Sequence, residues 1–149
     1  MREDQDYLKL TTILFRAMQN VEHVLKKDIQ TYDLNPTEFG TLELLYHKGK
    51  QPIQAVCNRL LMANSSLTYV VNQLEKKEFI KRVSNKKDKR MTLIELTLKG
   101  KDFFESIFET HVVTIKEIFS SLEDHEVVPL MAMLKKIGYK AFEMNEVRK

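Results

Sequence analysis

Residues 79–97 read Phe79-Ile80-Lys81-Arg82-Val83-Ser84-Asn85-Lys86-Lys87-Asp88-Lys89-Arg90-Met91-Thr92-Leu93-Ile94-Glu95-Leu96-Thr97. Both ends of this stretch have strand character. Residues 79–83 are rich in aromatic and β-branched side chains, and residues 92–97 set Ile94 and Leu96 against Glu95 and Thr97 at a period of two. Between them the decade 81–90 holds six basic side chains and one acid. The whole chain of 149 residues carries only +3, so the remainder, outside the +5 of this decade, is slightly acidic. The stretch reads as a hairpin with a basic turn. Two strands alone are marginally stable, so the hairpin must lean on neighbouring helices. A basic run of this kind is either a solvated surface loop or the footprint of a polyanion, and its flanks decide between the two.

Upstream, the period is helical. Leu67, Val70, Val71 and Leu74 form one apolar face of a helix that Asn64 or Ser65 can cap. Ser66, Thr68, Tyr69, Asn72, Gln73 and Lys76 fill its other side. After a break at Met62-Ala63-Asn64, a shorter helix reads backwards to about Pro52 and carries Ile53, Val56, Cys57 and Leu60. Before it, Asn35 and Pro36 suit an N-cap and first helical position, with Glu38 in the first turn. That helix runs to about His47, buries Phe39, Leu42, Leu45 and Tyr46, and stops at Gly49. Further out, Leu10, Leu14, Met18, Val21, Leu25 and Ile29 make an apolar stripe at helical spacing. Downstream of Leu98, Phe104, Phe108, Ile115, Ile118, Phe119 and Leu122 mark another. Residues 121–124 suit a cap and restart, leading to Val127, Met131, Leu134 and Ile137. Pro129 implies a kink there, or a helix that begins near it.

The fold class is therefore mainly α with a small β-hairpin. Two helices joined by a short turn and followed by a basic hairpin form a winged helix-turn-helix. The chain resembles the MarR family of bacterial transcriptional regulators over nearly its whole length. The resemblance is strongest in residues 65–77, which resemble the family's recognition helix. It continues in Asp88-Lys89-Arg90, then in Ile94-x-Leu96-Thr97-x-x-Gly100, the order of the family's wing signature. It implies a single domain in which residues 34–98 are the DNA-binding lobe, flanked by dimerisation helices in 1–33 and 99–149. The implied partners are palindromic double-stranded DNA, a second copy of the chain and a small-molecule effector.

The residues expected at DNA are Ser65, Ser66, Thr68, Tyr69, Asn72, Gln73 and Lys76 on the helix, and Lys86, Lys87, Asp88, Lys89 and Arg90 on the wing. Arg90 suits the narrow groove, where negative potential favours arginine, and Asp88 is expected to orient its guanidinium through a charge-assisted bond. The chain departs from the family twice. Tyr69 and Gln73 stand where relatives often carry Arg, leaving a nearly neutral reading surface that suggests an A·T-rich operator. Glu78 stands where relatives place Gly, so the helix end is expected to be shaped differently.

The resemblance also implies a repressor released by a small aromatic, phenolic or electrophilic molecule. An effector pocket is expected to be lined by Phe15, Met18, Phe39 and Leu42, although a Met and aromatic stripe at helical spacing is more often plain core. Cys57 reads as a buried thiol, with a redox-sensing role as the alternative. A winged helix that binds protein rather than DNA, as an adaptor, is the other reading.

Other classes find little support. A single cysteine rules out an internal disulfide framework. His23, His47, His111 and His125 are scattered without metal-ligand spacing, and no Gly-rich phosphate loop or G-x-S-x-G appears, so neither an enzyme nor a cofactor is expected. No apolar run approaches a membrane span, and the acidic start, Met1-Arg2-Glu3-Asp4, is unlike a signal peptide. A cytoplasmic protein is expected.

Overall fold

The computed structural model describes residues 2–60 and 64–147. In chain order it contains α1 (Arg2–Gln30), α2 (Pro36–Lys48), β1 (Gln51–Pro52), α3 (Ile53–Leu60), α4 (Asn64–Lys76), β2 (Ile80–Ser84), β3 (Thr92–Leu96), α5 (Leu98–Ile118) and α6 (Asp124–Val147). The chain divides into two compact units, one running to Thr114 and the other starting at Ile115. The first unit takes in α1 and most of α5 as well as residues 34–98. The reason is visible in its core, where Ile29 of α1 and Phe104 and Ile107 of α5 are buried with Leu42, Val56, Leu67, Val71, Leu74 and Ile94.

The hairpin forms as its alternation suggests, with β2 antiparallel to β3 and Ile80 opposite Leu96, Arg82 opposite Ile94, and Ser84 opposite Thr92. A third strand was not legible. Gln51 and Pro52 pair with Ile94 and Leu93, so the sheet order is β1-β3-β2. Pro52 is tolerated because β1 is an edge strand and needs no second ladder partner.

Local chemistry fixes the helix ends. The Asn35 carboxamide oxygen accepts from the Glu38 amide at 2.8 Å while its nitrogen donates to Glu38 Oε1 at 2.7 Å, a reciprocal cap with Pro36 at the first position. Glu38 Oε2 also holds the Lys77 ammonium at 2.9 Å, and that ammonium donates to the Asp33 carbonyl at the same distance. The end of α4 is thereby tied to the start of α2. Gly49 closes α2 at φ 74, a conformation that costs glycine nothing.

Glu78 departs from the expectation drawn for it. It adopts φ 62, the left-handed conformation a glycine would take. Phe79 N–H reaches the Leu74 carbonyl at 3.0 Å and Glu78 N–H the Glu75 carbonyl at 2.8 Å, a Schellman closure. The helix end keeps its usual shape with a side chain in the glycine position, and Lys99 pairs with that side chain at 2.9 Å. The salt bridge holds the Glu78 carboxyl below its ordinary range. Gly100 is obligatory for a different reason. A Cβ there would lie 1.9 Å from the Phe79 carbonyl oxygen, so the first turn of α5 can cross this strand entry only without a side chain. Thr97 caps α5, its hydroxyl oxygen accepting from the Gly100 amide at 2.9 Å.

A buried polar knot joins the end of α1 to α5. Asp28 Oδ2 lies 2.7 Å from His111 Nδ1, and Oδ1 accepts from the Thr114 hydroxyl at 2.8 Å and the Tyr32 hydroxyl at 3.0 Å. Burial works to raise the Asp28 carboxyl, but the three hydrogen bonds together hold it below its ordinary value. Burial and the neighbouring carboxylate push Tyr32 up to about 12. The His111 ring packs on Phe39 with centroids 4.5 Å apart.

In the second unit, α6 begins at Asp124, and the Glu126 carboxylate accepts from the Glu123 amide at 2.9 Å. The restart expected at residues 121–124 is there. Pro129 neither starts nor ends the helix, which runs through it and forgoes the one backbone bond that residue 129 would have donated.

Candidate nucleic-acid interface

Recognition by a helix needs one face buried to fix the helix and the opposite face free. In α4, Leu67, Val70, Val71 and Leu74 are buried, which turns Ser65, Tyr69, Asn72 and Lys76 outward as one row at helical spacing. Tyr69 is 63% exposed. Ser66 and Thr68 are exposed on the flanks, and Gln73 is half-buried. The structure therefore brings all seven helix residues expected at DNA to one side. The break at Met62 and Ala63 lies outside the described residues. Ser65 is inside the first turn of α4, so it is not the cap.

The wing loop between β2 and β3 is shaped from within. Asn85 Oδ1 accepts from the Lys87 amide at 2.9 Å, and Asp88 Oδ1 accepts from the Arg90 amide at 3.0 Å. Each is an Asx-type turn, a side-chain oxygen standing in for a backbone carbonyl. The expected pairing of Asp88 with the Arg90 guanidinium is thus replaced by a bond to the Arg90 backbone. Asp88 shapes the turn, and the guanidinium is left outward. Lys86, Lys87, Lys89 and Arg90 are all exposed. Among the described residues these four, with Lys76, have no ion-pair partner.

Behind this surface, acids hold three neighbouring bases. Glu95 on β3 lies 3.7 Å from Lys50 and 3.4 Å from Lys81. Arg82 on β2 reaches back to α4, with Nε 3.0 Å from Glu75 Oε1 and Nη2 2.7 Å from Asn72 Oδ1. Arg82 and Glu75 were not singled out from the sequence. Their signal was present, because the alternation of β2 turns Arg82 to the opposite side from Val83, but it needed the packing of β2 on α4 to become readable.

The remaining expected residues do not assemble. Phe39 and Leu42 are 3% and 0% exposed and belong to the core, whereas Phe15 and Met18 are 62% and 56% exposed on α1. Cys57 is buried in the core of the first unit at 1% exposure. No group of His, Cys, Asp or Glu among the described residues could hold a metal ion, and no described helix is long and apolar enough to cross a membrane.

Comparison with known proteins agrees with this geometry. Residues 34–92 match the MarR family. The chain is 42% identical over 134 residues to the HTH-type transcriptional regulator MhqR of Bacillus subtilis, covering 90% of this chain and 92% of that protein. It is 37% identical to the regulator YkoM of the same organism, covering 88% and 85% respectively. Among solved structures, its fold matches AbsC of Streptomyces coelicolor with a TM-score of 0.82 at 18% identity, covering 91% of this chain and 94% of that one. It also matches a cysteine-to-serine variant of MarR from E. coli complexed with operator DNA, with a TM-score of 0.77 at 22% identity, covering 89% and 95%. The outward row of α4, the basic wing and the relatives that match about nine-tenths of the chain lead to one assignment: the protein belongs to the MarR family of winged helix-turn-helix, DNA-binding transcriptional regulators, and is not an enzyme.

Proposed function

We propose that the chain works in the cytoplasm as a homodimeric repressor that occupies a palindromic operator. The reading is carried by one observation: α4 offers an unobstructed polar row while the wing beside it in sequence offers unpaired cations. Polar side chains on a helix of this width suit the major groove, whose base edges carry a distinct donor and acceptor pattern. The cations of Lys86, Lys87 and Lys89 suit phosphates, which position the protein without reading sequence. Asp88 shapes the turn that presents Arg90. A second copy is supported by the apolar surface that one chain leaves uncovered. Leu10, Ile13, Phe15 and Met18 of α1 are each about half exposed or more, and no residue of α6 is buried. Repression, and release by a small aromatic or electrophilic effector, follow from the resemblance to the family.

Selection of bound duplexes from a random DNA pool at moderate salt tests this directly. The expected result is an enriched palindrome with half-sites about one helical turn apart. A shapeless, salt-sensitive preference would reject it, make the wing a non-specific anchor and favour the protein-binding reading.

A further inference from the structure

Asn72 stands within the outward row of α4. A free asparagine in such a place matches adenine well, because its carbonyl accepts from N6 while its amide donates to N7. In this chain the carbonyl already has a partner. Arg82 Nη2 lies 2.7 Å from Asn72 Oδ1, and Arg82 is itself held by Glu75 Oε1, 3.0 Å from its Nε. A guanidinium carries donors only, so it decides which end of the carboxamide faces it. The oxygen turns toward β2 and the NH2 group is left for the outside. The bond is charge-assisted, roughly twice as strong as a neutral one. Turning the amide over to offer its oxygen to DNA would set two donors against each other.

We propose that Arg82 makes Asn72 a donor-only reader, so that the base it faces is selected for acceptors. Guanine sets O6 and N7 side by side on its major-groove edge, whereas adenine pairs its acceptor with a donor that Asn72 cannot satisfy. Arg82 acts as a positioning residue, setting specificity at a base it need not touch. The inference rests on the operator-binding reading above, and it places guanine at one position of an operator that the nearly neutral reading surface of α4 suggests is A·T-rich.

The test applies the same random-pool selection to the wild type, Asn72→Ala and Arg82→Met. Asn72→Ala identifies the position, because discrimination there should vanish while the rest of the palindrome persists. At that position the wild type should prefer guanine over adenine by about tenfold, within the range of one good base contact. Arg82→Met frees the carboxamide oxygen and should shift the preference to adenine, with half-site spacing unchanged. A purely structural role for Arg82 would lower affinity without exchanging one base for another. Adenine in the wild type, an unchanged guanine in Arg82→Met, or no position relaxed by Asn72→Ala would each overturn the inference. The wild-type preference decides the matter even if Arg82→Met fails to fold. If the wild type selects no palindrome at all, the operator-binding reading fails first and this one with it.

Discussion

At the scale of single residues, the protein shows how one side chain can fill a role that its type disfavours. Glu78 closes α4 in the left-handed region at φ 62, which crowds any residue with a Cβ. Its carboxylate meets Lys99 at 2.9 Å on an exposed surface, where salt bridges contribute little. Glu78→Gly should therefore raise Tm by about 1–2 °C, the backbone relief outweighing the lost pair. Glu78→Gln, which keeps the strain and removes the charge, should not raise it. A lower Tm for the glycine variant in thermal melts would show the ion pair to be dominant. Arg90 is the residue-scale test of the wing. Its guanidinium is free because Asp88 is spent on the backbone amide. Arg90→Ala should weaken duplex binding at least about tenfold, close to 1.4 kcal/mol, in a titration at fixed salt. Unchanged binding would mean that the loop does not reach DNA.

At the scale of elements, the knot between α1 and α5 turns pH into a probe of packing. Tyr32 is raised to about 12 in the folded chain, against about 10 for an unperturbed tyrosine. A raised folded value means that the contribution to stability is complete below pH 10 and is lost as pH climbs through 12. Urea midpoints from pH 9 to 12 should fall more steeply for the wild type than for Tyr32→Phe, so the two curves converge at the alkaline end. Parallel curves would show that the Tyr32–Asp28 bond does not couple to folding. Asp28 works in the opposite sense. Its lowered carboxyl contributes above the unfolded value and is lost as pH falls.

These elements also show what the sequence made legible. The helices followed from apolar periodicity, and the cap at Asn35 and the stop at Gly49 from residues a few positions apart, because such signals are local. The outward row of α4 was legible for the same reason. What escaped was non-local. Asp28 and His111 are 83 residues apart, and nothing in either neighbourhood announces the other. The two-residue strand at Gln51–Pro52 is too short to have a period at all. Phe39 and Leu42 were legible as helix-face residues, but only packing assigns that face to the core rather than to a ligand.

For the whole molecule, the uncovered apolar surface is the feature that one chain cannot explain. Leu10 and Met18 are 49% and 56% exposed on α1, so charging them leaves the core untouched. The double variant Leu10→Glu, Met18→Glu should keep its helical content yet sediment at 17.6 kDa, where the wild type should sediment at twice that mass. Half-site spacing should no longer matter to the variant. A wild type that sediments at 17.6 kDa would remove the second copy from the mechanism. The pairing of charges in the first unit has a last consequence. Because Glu38, Glu75, Glu78 and Glu95 each already hold a lysine or arginine, the unpaired cations of α4 and the wing reduce to Lys76, Lys86, Lys87, Lys89 and Arg90. Each phosphate neutralised adds about −0.9 to the slope of log affinity against log salt, which bounds these five at roughly −4.5 per protomer. Ionic strength thus becomes a ruler for how much of the wing lies on the duplex.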